Sequence, residues 1–147
     1  MNLKKYVIAV VTSALSMWVL AGLWHNLVLP NLYTDKKAHH EGLGLMLVAY
    51  FALASLMTYI YQRASDGRRP AWDGAVIGVV IGVLWVFPHE LAMAGVHGDS
   101  IAYVFKNGAW HVIEQGLGGW VVGLIWATRS SRPSPPEGAS RSPSPGR

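Results

Sequence analysis

The chain has 147 residues, 52% of them hydrophobic and only 14% charged, with a net charge of +4 and no cysteine. A soluble domain carries about 25% charged residues, and the missing thiols exclude disulfides, thiolate metal sites and cysteine nucleophiles. The basic residues flank long apolar runs instead of forming a patch, an arrangement that fits membrane topology and argues against a nucleic-acid partner.

Crossing a bilayer takes about 20 mostly apolar residues, and four segments meet that length. The first covers residues 6–29 and stops at Pro30. Its apolar run exceeds the 7–15-residue core of a signal peptide and no A-x-A site follows, so it reads as a retained helix. The second covers 42–61 and closes on Tyr59, Tyr61 and Arg63. The third covers 72–96 and carries Pro88, His89 and Glu90; the fourth covers 102–128 and contains AWHVIEQGLGGW. In hydrocarbon each backbone group must bond within its own segment, so all four are expected as helices. The fold class expected is an all-α integral membrane four-helix bundle over residues 1–129. The tail, 130–147, is rich in Pro, Ser and Arg, has nothing apolar to bury, and is expected to be disordered.

The basic residues set the orientation. Lys4, Lys5, Arg63, Arg68, Arg69, Arg129, Arg132, Arg141 and Arg147 fall on one side, against Lys36, Lys37 and Lys106 on the other. Positive-inside then places both termini in the cytoplasm. On that topology all six histidines lie in the outer leaflet or beyond it. His25 ends the first helix, His39 and His40 occupy the first loop beside Glu41, and His97 follows the third helix. A 1.5 Å rise per residue puts His89 and His111 at matched depths, about 6 Å below the outer boundary, and Glu114 at about 10 Å.

Helical facing sharpens the pattern. At about 100° per residue, Asn107, His111, Glu114, Gln115 and Gly118 share one arc, a polar stripe that must turn away from lipid. Gly74, Gly78 and Gly82 form a tandem small-residue motif, and Gly119-x-x-x-Gly123 supplies a second ridge, so these helices can approach closely. Trp85 and His89 are expected on the same face as the three glycines, with Glu90 about 100° away. Pro88 lacks an N–H and crowds the carbonyl of Leu84, which predicts a bend that opens the outer end.

Ionisable groups inside a membrane are costly and point to function. Imidazole and carboxylate suit Zn, Cu, Ni or Fe. The sharpest reading is therefore a transition-metal site on His89, His111 and Glu114, with Glu41 or His25 at the outer mouth and Glu90 and Gln115 nearby. The spacing matches no established metal motif. Haem between two histidines is a weaker fit, because no pair sits near mid-membrane. The alternatives are a proton- or solute-handling protein that would need to oligomerise, and an accessory subunit whose His–Glu pair fixes helix packing and whose activity lies in partner membrane proteins. No nucleophile, base and orienting group stand together as an acyl-transfer enzyme requires.

WHNLVLPNLY at 24–33 and HHEGLGLML at 39–47, with the apolar segments after them, resemble small four-helix bacterial inner-membrane proteins of unknown function. The resemblance spans most of the chain before the tail. It implies a multi-pass protein of the bacterial inner membrane and assigns no activity to any residue.

Overall fold

The computed structural model describes residues 2–24, 27 and 40–127, and for 40–43 the backbone alone. Within them the chain folds as four antiparallel helices: α1 (Leu3–Leu23), α2 (His40–Ala64), α3 (Pro70–His97) and α4 (Ile101–Ala127). Helices α2, α3 and α4 lie within three residues of the predicted segments; α1 begins three residues before the predicted 6, and the predicted end at 29 lies outside the described residues. His40 and Glu41 belong to the first turn of α2 and not to the preceding loop, and His97 closes α3 and does not follow it. The expected disorder of residues 130–147, and the calls on His25 and His39, lie outside the described residues.

Local chemistry sets the ends. Asn2 caps α1 by accepting from the Lys5 amide at 3.2 Å, which satisfies an amide that the helix leaves without a partner. Pro70 opens α3 at a position where a missing N–H costs nothing. At the other end of α3, Gly98 turns the chain out with φ of 74° while its amide bonds the Ala94 carbonyl at 2.8 Å, a left-handed cap that only glycine adopts freely. Between α2 and α3, the Ser65 hydroxyl donates to the Asp73 carboxylate at 2.7 Å and closes the short turn.

Three helices, α1, α3 and the Gly44–Ala64 stretch of α2, are long and apolar enough to cross a membrane. The fourth helix has 27 residues but falls short in apolarity, because Asn107, His111, Glu114 and Gln115 interrupt it. The packing accounts for this. Helices α4 and α2 each touch the other three, whereas the backbones of α1 and α3 stay apart among the described residues and share only a side-chain core that includes Ile81. Asn107, Glu114, Gln115 and Gly118 are all buried, so the polar stripe turns inward as its facing predicts. Around the outside, Leu15, Val48, Val80, Leu84 and Leu124 remain exposed. That inversion, polar inside and apolar outside, suits a hydrocarbon solvent.

The α3–α4 seam is the closest in the molecule. A Cβ on Gly78 would strike the Gln115 carbonyl oxygen, and one on Gly74 would strike that of Gly119. Gly119 and Gly123 are equally closed in, by Gly74 and by Pro70. Backbone thus lies on backbone, which maximises dispersion contact where lipid supplies no hydrophobic drive between helices. Above the glycines the seam departs from expectation. Trp85 is 61% exposed and His89 is exposed, while Val86 and Ala94 are buried and Glu90 is half-buried. The contact line follows the i, i+4 ridge from Gly74 through Gly78, Gly82, Val86 and Glu90 to Ala94, drifting about 40° per step. Extrapolating a straight face misses that drift. Helix α3 runs without interruption through Pro88.

Helix α1 packs on a neighbouring face of α4, where Gly118 stands about 100° around from Gly119. The Ser13 hydroxyl donates to the Gly118 carbonyl at 2.9 Å in a buried contact, and Met17 fills the space beside it. Tyr6 donates to the Ser55 carbonyl of α2 at 3.0 Å. At one end of the bundle Lys5 donates to the Ile125 carbonyl at 3.2 Å and lies over the Trp126 ring. At the other, Trp24 and Trp110 stack with ring centroids 4.1 Å apart and planes 2° from parallel. Ser13→Ala is expected to lower stability by about 0.6 kcal/mol, the mean for interhelical polar bonds in membranes; equilibrium unfolding in mixed micelles measures this.

Candidate functional site: a polar cleft between α2, α3 and α4

Helices α2 and α3 are tied by a short turn at one end and touch far less extensively than α3 and α4. Between them, with α4 as the floor, lies a cleft of about 320 Å³. Met46, Ala49, Tyr50 and Leu53, at i, i+3, i+4 and i+7, form the α2 wall. Trp85, Val86, His89 and Glu90 form the α3 wall, and His111 and Gln115 the floor. The cleft sits at the bundle end marked by the Trp24–Trp110 stack, the end at which the histidines were expected.

The floor carries the unusual chemistry. His111 Nδ1 lies 2.8 Å from Glu114 Oε2; the imidazole is 22% exposed and the carboxyl wholly buried. One helical turn separates these residues, so the rise of α4 alone brings them together. When Nδ1 carries the proton, it donates to the carboxylate and the ring is held in one tautomer. Glu114 Oε1 is buried with no hydrogen-bond partner. The Tyr50 hydroxyl, from α2, comes into electrostatic contact with the same carboxyl. Next to it, Gln115 is 2% exposed and its side-chain carbonyl oxygen also finds no donor. A buried acceptor without a donor costs about 1–3 kcal/mol, and here two such atoms stand on adjacent residues.

The structure therefore brings His111 and Glu114 together and sets His89, Glu90 and Gln115 on the same cleft. Among the described residues no three His, Asp or Glu side chains group as metal ligands. His89 is turned instead along the ring of Trp85, with centroids 6.3 Å apart and planes 3° from parallel. His25 lies outside the described residues, and so does the side chain of Glu41. The His–Glu bond also differs from an interhelical clasp. Both partners belong to α4, so it fixes side-chain orientation within one helix and leaves the α3–α4 register to the glycines.

Sequence reasoning missed Tyr50 and the α2 wall. A signal was present, since Tyr50 stands well inside its span while Tyr59 and Tyr61 sit at its end. A tyrosine at that depth needs an inward partner for its hydroxyl. No protein-family model matches this chain, and neither curated proteins nor solved structures include a match.

Proposed function

We propose that this chain is a four-span protein of the bacterial inner membrane, with both termini in the cytoplasm, that binds a small amphipathic molecule in the α2–α3–α4 cleft. One observation carries the reading: a wholly buried intramembrane carboxyl, paired with His111 and reached by the Tyr50 hydroxyl of α2, stands behind the largely buried floor of a cleft whose walls are mainly apolar. A group as costly as that is retained in membrane proteins where it handles a ligand, ion or proton. The volume lies at the lower end of small-molecule pockets, about 300–1,000 Å³, and the mixture of apolar walls with a few convergent polar groups is theirs as well. The scarce α2–α3 contact supports entry from the side, out of the lipid. The fourth span is α4, whose polar face is covered by its neighbours.

The reading is tested by native mass spectrometry of protein extracted gently from its own membrane, beside Ala49→Trp. Ala49 lines the cleft and is exposed, so an indole there fills the cavity without entering the core. A defined small-molecule adduct on the parent, absent from Ala49→Trp, is the expected result. Equal adducts on both, or none on either, would overturn the proposal.

A further inference from the structure

We infer that the ligand of this cleft is an organic amine bound as its ammonium ion, a conclusion that rests on the binding role proposed above. The groups that reach the cleft, or lie just behind it, decide the polarity of what it can hold. The buried atom of the floor in need of a partner, the Gln115 side-chain oxygen, is an acceptor. The occupant that completes this floor must therefore supply a hydrogen-bond donor. A ketone, ether or ester would leave it unsatisfied.

Charge narrows the class further. Glu90 is a half-buried carboxyl on the α3 wall, Glu114 is a second one behind His111, and among the described residues no lysine or arginine lines the cleft. Charges interact far more strongly in a medium of low polarity than in water, so two carboxyls around a cleft within hydrocarbon favour a cation over an alcohol. Tyr50 and Trp85 line opposite walls, and aromatic rings attract ammonium groups through the ring quadrupole. Met46, Leu53 and Val86 provide the apolar surface for the body of the molecule. In this arrangement the ammonium donates to the Gln115 oxygen and to Glu90, while Glu114 contributes its charge through His111. An ammonium has three donors, enough for both acceptors with one to spare.

The test uses the full-length protein in lipid nanodiscs and two probes of the same shape, phenethylamine and 2-phenylethanol, titrated by calorimetry against empty discs. At about pH 8 an aliphatic amine is charged while ordinary imidazoles are neutral. The amine is expected to bind at least about tenfold more tightly than the alcohol, the ratio that one charge-assisted hydrogen bond supplies. Glu90→Gln and Glu114→Gln, which keep side-chain shape, should each remove most of that preference and leave alcohol binding unchanged. Equal binding of the two probes by the parent protein would overturn the amine assignment and leave the cleft as a binding site for neutral amphiphiles. Binding of neither probe would also overturn it, and the native adduct described above then reports separately whether the cleft is occupied at all. Because the decisive comparison is made on the parent protein, it survives the failure of either variant to fold.

Discussion

Gly78→Leu should prevent α3 from closing on α4. The Cβ of any larger residue meets the Gln115 carbonyl oxygen and, next to it, the Gly116 Cα. Inserting bulk into a packed core costs about 1–3 kcal/mol when side chains can shift. Here the obstacle is main chain on a helix held from three sides, so the cost should reach or exceed the top of that range. The helices must separate along the whole glycine ridge, since Gly74 and Gly82 lie on the same contact line. Thermal unfolding in detergent micelles, followed by circular dichroism and by size-exclusion profile, measures the loss. The matched control is Gly95→Ala. Nothing lies within 4 Å of a Cβ built there, and replacing a helical glycine by alanine gains about 0.5–1 kcal/mol. Destabilisation by both variants alike would mean that close approach at the seam is not what sets Gly78 apart, since helix propensity favours both replacements.

The His111–Glu114 pair yields a second large effect, most of which the double variant recovers. His111→Ala removes the hydrogen bond that Glu114 accepts from the imidazole at 2.8 Å and leaves the buried carboxyl with Tyr50 as its remaining side-chain donor. Stranding a buried polar group costs about 1–3 kcal/mol. Replacing both partners by apolar groups of similar size is close to neutral, because the demand for a donor disappears along with the donor. His111→Ala/Glu114→Leu is therefore expected to be more stable than His111→Ala alone, by most of the loss. Chemical unfolding of the parent, both singles and the double closes the cycle and gives the coupling directly. A double variant no better than His111→Ala would mean that the imidazole contributes through packing and not through its bond to Glu114.

Much of this architecture could be read from residue spacing, and the reasons differ from feature to feature. The helices were legible because a bilayer imposes length and apolarity on whatever crosses it, leaving breaks such as Pro30 and the 65–69 turn to punctuate the chain. The glycine seam was legible because small residues at i, i+4 have few uses inside a span. The inward stripe of α4 was legible because Asn107, Glu114 and Gln115 could not face lipid. Contacts between helices distant in sequence were much less so. Ser13 is one hydroxyl in a long apolar run, and nothing in its neighbours announces that it reaches Gly118, 105 residues on. Tyr50 meets Glu114 only because α2 crosses α4, which facing within a single helix cannot reveal. The metal reading rested on matched depth. Depth locates two histidines on one level, but not on one side of it, and His89 follows Trp85 outward while the contact ridge turns toward Glu90.

The central position of α4 has a consequence for how the protein is made. Helices α1, α2 and α3 leave the ribosome first, and each is apolar enough to partition into lipid unaided. Helix α4 is synthesised after them and is the poorest inserter, with a carboxyl, an amide and an imidazole near its middle. On the four-span reading proposed above, its residence in the bilayer depends on partners that already wait there: the glycine ridge of α3, Ser13 and Met17 of α1, and Tyr50 of α2. Insertion and tertiary assembly are thus a single event for the last quarter of the polypeptide. Damage to the receiving surfaces would be felt as failed translocation of α4 before it was felt as a weakened bundle.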